Sequence, residues 1–235
     1  MSNIEIRNLN KYYGDKQVLH NINWDIDYDN AGIISLMGEN GAGKSTLLKI
    51  LSGILKHNSG EIFVKECSRD YEKWAKENIA YIQAGERGLR LKNTVYDNVL
   101  YYGLLKGKNI RCVSDNIRKY SDYLDIKKLL DKRCELLSMG EKKKAQILCG
   151  LCCFGKLLIL DEPSTGLDIR TIRELQEILR MIHEEQNICT IVASHDIYFL
   201  KDLSDSYVFL KQGKIKKIID HKLSEKEIEK NALIL

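Results

Sequence analysis

The stretch Gly38-Glu39-Asn40-Gly41-Ala42-Gly43-Lys44-Ser45-Thr46 satisfies G-x-x-x-x-G-K-[ST] at every fixed position. It restricts the chain to folds that place a phosphate-binding loop between a strand and a helix. Its flanks agree with that demand. Gly32 to Met37 is a short apolar run suited to a buried strand, and Leu47 to Ile54 has apolar residues at helical spacing, in a helix beginning near Lys44. The glycines let successive backbone N–H groups turn inward towards a β-phosphate, and the positive end of the helix adds to them. Lys44 is placed to reach the β- and γ-phosphates, and the Ser45 hydroxyl to ligate Mg²⁺.

The 235 residues suit one α/β unit with room for an insertion. A net charge of +4 gives no support to a nucleic-acid-binding surface, so the Lys-rich segments are expected to be solvated faces. The chain has neither a secretory leader pattern nor an apolar run long enough to span a membrane. Seven cysteines, mostly in apolar stretches, suit a reducing cytosol. Cys149-Gly-Leu-Cys152-Cys153 contains C-x-x-C, but it sits in an apolar helix-like run without a second ligand pair, and core packing is the expectation.

Along the chain, Ile4 to Leu9 and Val18 to Ile26 alternate as strands about a turn at Gly14-Asp15, which predicts an N-terminal antiparallel layer. Tyr12 and Tyr13 precede that turn; the pair by itself reads as strand-end packing, although it also offers an aromatic face to a nucleobase. Ser59-Gly60 reads as a turn into Glu61 to Val64, and Asn78 to Ile82 as a strand ending at Gln83. Ala84 to Lys92 reads as a loop, and Thr94-x-x-Asp97 as a capping box opening a helix. Helix-like runs at Val113 to Leu124 and Ile126 to Leu130 extend an all-helical block, which reads as an insertion.

Leu157 to Leu160 then delivers Asp161 and Glu162 at a strand's C-terminal end, where open α/β sheets bind ligands. Without the phosphate loop these would be two solvated acids. With it, Asp161 is placed to hold Mg²⁺ and Glu162 to orient, or take a proton from, the water attacking a γ-phosphate. Thr171 to Ile182 is an amphipathic helix, and Ile188 to Ser194 a buried strand ending at His195. Alone, His195 reads as a structural histidine; as one of several strand ends converging on one edge it joins the candidate site. Val208 to Leu210 and Ile215 to Ile219 flank Gln212-Gly213 as a hairpin, before a charged helical tail.

The phosphate loop, Gln83, Leu137-Ser138-Met139-Gly140-Glu141, LLILDE at 157–162, Ser164-Thr165-Gly166-Leu167-Asp168 and His195 stand in an order and spacing that resemble the nucleotide-binding subunit of the ATP-binding-cassette family over nearly the full length. The resemblance implies a P-loop NTPase core of α/β class with an N-terminal antiparallel β layer and an inserted all-helical subdomain. Core residues would be about 1–84 and 156–220, the helical subdomain about 85–155 and a tail 221–235. It implies ATP and Mg²⁺ as cofactors, Tyr13 stacked on adenine, Gln83 contacting Mg²⁺ or water and sensing a membrane partner, and His195 contacting the γ-phosphate. Asp168 would cross an interface to a second nucleotide-binding subunit, whose Ser138 and Gly140 clasp the ATP held by this chain's loop. A transmembrane permease subunit would be the further partner, with the chain cytoplasmic and peripheral at the inner membrane face.

Met139 and Glu141 depart from the family's LSGGQ: one adds bulk, the other a negative charge where a neutral amide is usual, with Lys142, Lys143 and Lys144 as offsetting cations. This departure and Gly85-Glu86-Arg87 resemble exporter-type members. A soluble regulator whose output is ATP-dependent pairing is the alternative. A phosphate-loop kinase is disfavoured by the LSxG segment and the adjacent Asp161-Glu162 pair.

Overall fold

The computed structural model describes residues 3–65, 70–153 and 155–234. Three strands, β1 (Ile4–Tyr13), β2 (Lys16–Ile26) and β4 (Ser59–Val64), form an antiparallel sheet in the order β2-β1-β4. A second sheet is built from β3 (Ile33–Met37), β5 (Ile79–Ile82), β6 (Leu157–Asp161), β7 (Cys189–Ser194), β8 (Ser206–Lys211) and β9 (Lys214–Ile219). Its order is β5-β6-β7-β3-β8-β9, parallel except for the terminal β8–β9 hairpin.

Every residue of β3, β6 and β7 is buried, because both faces of a parallel sheet are covered. Successive side chains serve opposite faces. Ile34, Leu36, Leu157, Ile159, Ile191 and Ala193 pack with the antiparallel sheet and with α1 (Lys44–Leu51). Ile33, Met37, Leu158, Leu160 and Val192 pack with helices on the other side. Those helices include α6 (Ile169–Gln186), whose Ile172, Leu175, Ile178, Leu179 and Ile182 form one buried stripe, α7 (Ile197–Lys201) and α8 (Glu225–Ile234).

The inserted block consists of α3 (Val95–Leu105), α4 (Ile110–Tyr123) and α5 (Met139–Cys153), packed on one another. The Thr94–Asp97 capping box opens α3 as expected. The C-terminal half of α5 is buried on all sides, and Gly150 lets it approach Ala80, Ile82 and Leu158 of the sheet. Cys149, Cys152 and Cys153 are free, buried thiols in that contact, as core packing requires, and burial raises each above the ordinary thiol range. Cys67 lies outside the described residues.

Several expectations need correction. Ser59 and Gly60 begin β4 instead of making a turn: Ser59 pairs with Asn10, and Gly60, at φ 94°, crosses so close to Asn8 and Leu9 that a Cβ would clash with their backbone. Ile126 to Leu130 yields only a short 3₁₀ helix, Lys127–Leu129, with Asp125 at φ 47° ending the preceding helix. Asn78 is the last residue of α2 (Tyr71–Asn78), a short helix opened by an Asp70 cap with Tyr71, Trp74 and Ala75 at helical spacing, and the strand starts at Ile79. The first helix stops at Leu51, leaving Ile54 exposed beyond it.

Candidate nucleotide site

The strand register builds the site. Met37 pairs with Ser194, Asp161 with Ala193, and Ile82 with Leu160, so Gly38, His195, Glu162 and Gln83 leave the sheet at one edge. Lateral pairing of parallel strands thus levels four segments far apart in sequence.

In the phosphate loop Gly41 and Gly43 adopt φ of 85° and 105°, values that turn the backbone inward. A Cβ on Gly43 would lie 2.8 Å from Leu19 Cδ2 of β2, so the antiparallel layer closes directly on the loop. The β8–β9 turn fastens its other side, with Gly213 donating its N–H to the Ala42 carbonyl at 3.0 Å. Lys44, 5% exposed, donates to the Gly38 and Glu39 carbonyls at 2.6 and 3.3 Å. Asn40 and Ser45 are exposed, and Thr46 is half-buried. Tyr13 is 50% exposed at the β1–β2 tip, its ring under the Lys11 ammonium.

Asp161 is buried. Its Oδ2 accepts from the Tyr81 hydroxyl at 2.8 Å, while Oδ1 is buried without a hydrogen-bond partner among the described residues. An orphaned carboxylate oxygen of this kind fits a cation or its water. Burial, followed by the charge of Asp161, holds the Tyr81 phenol protonated far above its ordinary range. Glu162 sits at φ 45°, its N–H held by the Ala193 carbonyl at 2.8 Å. This left-handed backbone turns its carboxylate across the strand ends. Oε1 faces Lys44 Nζ at 3.2 Å, and Oε2 lies 3.0 Å from His195 Nδ1 and 3.2 Å from Ser194 Oγ. An ionised carboxylate only accepts, so Nδ1 and the hydroxyl are the donors.

Gln83, half-buried, begins the segment that joins the sheet to the helical block. Ser138 and Gly140 lie elsewhere, at the N-terminus of α5, and no hydrogen bond or ion pair among the described residues ties them to the phosphate loop. Glu141 does not project as a bare charge: its Oε2 accepts from Ser138 N–H at 2.7 Å, and its own N–H donates to Ser138 Oγ at 3.2 Å. This is a capping box, and the S-x-x-E spacing is its sequence signal. Gly140 abuts Thr171, and the Met139 thioether lies over Gly166, where an added Cβ would meet its Cε at 2.7 Å. Asp168 caps α6, accepting from Arg170 and Thr171 N–H at 2.9 and 3.0 Å and from Thr171 Oγ1 at 2.9 Å. Those bonds to Thr171 hold the Asp168 carboxyl below its ordinary range.

Local patterns do not single out Tyr81, Ser194 or Lys143. Lys143 also overturns the expectation of a solvated lysine run: it is 5% exposed, and burial pushes its pKa down to about 8, opposed by the attraction of Asp161.

The sequence model of the ABC transporter family matches residues 19–165, more than half of the chain. The chain belongs to the ABC transporter family. It is a nucleotide-binding subunit of that family, an ATPase cassette. The phosphonates import ATP-binding protein PhnC of Fusobacterium nucleatum is 33% identical over 227 residues, covering 90% of each chain. The sulfate/thiosulfate import ATP-binding protein CysA of Pectobacterium atrosepticum is 31% identical over 219 residues, 92% of the cassette but 66% of the longer relative. Among solved structures, cbiO1 from Clostridium perfringens, described as part of the ABC transporter complex cbiONQ, superposes with a TM-score of 0.83 at 28% identity, covering 97% of the cassette and 91% of that chain. No helix among the described residues of the cassette is long and apolar enough to cross a membrane.

Proposed function

We propose that the cassette powers a separate membrane-spanning permease by ATP-dependent pairing with a second cassette, and that it works at the cytoplasmic face of the membrane. The observation that carries the chemistry is Glu162 held between Lys44 and His195 at the mouth of the phosphate loop. Gly38, Asn40, Gly41, Ala42, Gly43 and Thr46 cradle the phosphates, Lys44 neutralises them, and Tyr13 stacks on adenine. Ser45, Gln83 and Asp161 would hold Mg²⁺, which supplies charge neutralisation across the β- and γ-phosphates. Glu162 takes the proton of the attacking water; His195 orients the Glu162 carboxylate through its Nδ1–H and reaches the γ-phosphate by turning an N–H towards it, since a neutral imidazole has a single N–H to donate. Ser138 and Gly140 serve the ATP on the paired cassette, and Asp168 stands at that interface.

A groove of about 450 Å³ between sheet and helical block, lined by Ile79, Gln83, Arg87, Leu105 and Cys153, suits a helix of the permease. Both relatives described above are named for import, and the exporter direction expected from Gly85-Glu86-Arg87 has no support from them. The test is co-expression with a candidate permease. Co-purification from solubilised membranes, with ATPase activity altered by the permease, is expected. A cassette that purifies free of every membrane protein and hydrolyses ATP at an unaltered rate would overturn the transporter reading.

A further inference from the structure

Helix α5 grips the segment that carries Gln83. Residues 83–88 have no strand or helix of their own, yet the alternate carbonyls of Gln83, Gly85 and Arg87 all face α5. Lys143 Nζ lies 3.4 Å from the Gln83 carbonyl and 3.5 Å from that of Gly85. Gln146 Nε2 donates to Gly85 and Arg87 at 3.0 and 2.8 Å, and Lys142 Nζ pairs with Glu86 at 2.7 Å. Two carbonyls around Nε2 settle the orientation of that amide. Lys143 is the unusual member of the set, because a buried ammonium is costly where an apolar side chain of similar length would pack. Asp161 is the carboxylate whose attraction it feels.

We propose that Lys143 is a positioning residue for ATP hydrolysis. By holding the Gln83 and Gly85 carbonyls it fixes the backbone from which the Gln83 side chain leaves the strand end next to that of Asp161. It thereby links the helix that begins after Ser138 to the side of the site that would carry the metal. Lys143 acts through the Gln83 and Gly85 carbonyls, so the inference rests on the role proposed above for Gln83.

The test compares Lys143→Met, Lys143→Gln, Gln83→Ala and the double variant Lys143→Met/Gln83→Ala in the full chain with Mg²⁺, measuring kcat, ATP Kd and thermal melting. Methionine fills the space of the lysine stem without its charge, so the fold is expected to persist. Lys143→Met should lower kcat by about tenfold or more through misplacement of Gln83, with ATP Kd and Tm held. Lys143→Gln, which keeps an N–H donor on a stem one bond shorter, should recover part of that loss. The double variant should be no slower than Gln83→Ala alone, since both act on one group. Wild-type kcat in Lys143→Met beside an impaired Gln83→Ala overturns the inference and leaves the site reading standing, as does full additivity in the double variant. If Lys143→Met melts early, the Lys143→Gln result decides, and a kcat as low as that of Lys143→Met overturns the inference. Wild-type kcat in Gln83→Ala overturns both readings.

Discussion

Lys44 Nζ and Glu162 Oε1 stand 3.2 Å apart, so the cation of the phosphate loop is paired with the carboxylate read as the catalytic base. Both side chains are largely buried, and a phosphate entering the loop competes with Glu162 for the same ammonium. Removing the negative charge at 162 therefore has two consequences. Glu162→Gln should lower hydrolysis by roughly 10²- to 10⁴-fold, the usual worth of a positioned base. It should also leave ATP binding intact or tighter, because Lys44 is released to the phosphates. Single-turnover hydrolysis and equilibrium titration with ATP read the two effects, and turnover at the wild-type rate would exclude Glu162 as the base.

Lys44→Ala separates in the opposite sense. It removes a charge-assisted phosphate contact worth about 1.5–3 kcal/mol and strands the Glu162 oxygen that faced it. Binding and hydrolysis should fall together. ATP titration of the variant at wild-type affinity would contradict the placement of Lys44 at the phosphates.

The Ser138–Glu141 capping box predicts different outcomes for two substitutions. Ser138→Ala removes the oxygen that accepts the Glu141 N–H and should destabilise the cassette by about 0.5–2 kcal/mol in urea unfolding. Glu141→Gln keeps an acceptor that can reach back to Ser138 N–H, so stability should change little, while an anion leaves the end of α5 that would face the paired cassette's ATP. ATP-driven association, followed by light scattering in the Glu162→Gln background, should strengthen. Unchanged association would make Glu141 a cap and nothing more.

Asp168 ties acid stability to the start of α6. Its carboxyl titrates below the ordinary value because the folded state hydrogen-bonds the ionised form. Its contribution is therefore complete above about pH 4, the unfolded-state value, and is lost as pH falls through the depressed folded value. Asp168→Ala should melt below the wild type at neutral pH, and the gap should narrow in acid. A gap independent of pH would show that the charge of Asp168 carries no part of the cap.

Local chemistry made much of the core legible. The runs at 33–37, 157–160 and 189–193 are apolar but for the small, buried Ser35 and Thr190 because both faces of a parallel sheet are buried, and the β8–β9 turn is marked by Gly213, which takes positive φ without cost. Thr94-x-x-Asp97 marked a helix start for the same local reason. Ser138-x-x-Glu141 carries the corresponding mark, so the carboxylate that departs from LSGGQ is the cap of α5. Helix α2 carries local marks of its own, the Asp70 cap and Tyr71, Trp74 and Ala75 at i, i+3 and i+4, but at eight residues the period is too short to declare a helix without the packing of Trp74 and Ala75 beneath the antiparallel layer.

By itself, the sequence determined a phosphate loop between strand and helix, acids and a histidine at strand ends, and the ordered motifs of an ABC cassette. These follow from residue type at short spacing, where backbone geometry alone links neighbours. Only the tertiary structure decided that Asp161 pairs with Ala193 and Met37 with Ser194, that Glu162 turns at φ 45° to bridge Lys44 and His195, and that Lys143 is buried against the Gln83 carbonyl. Lateral strand register and the docking of one helix on a distant loop depend on contacts across the whole chain, and no local spacing encodes them.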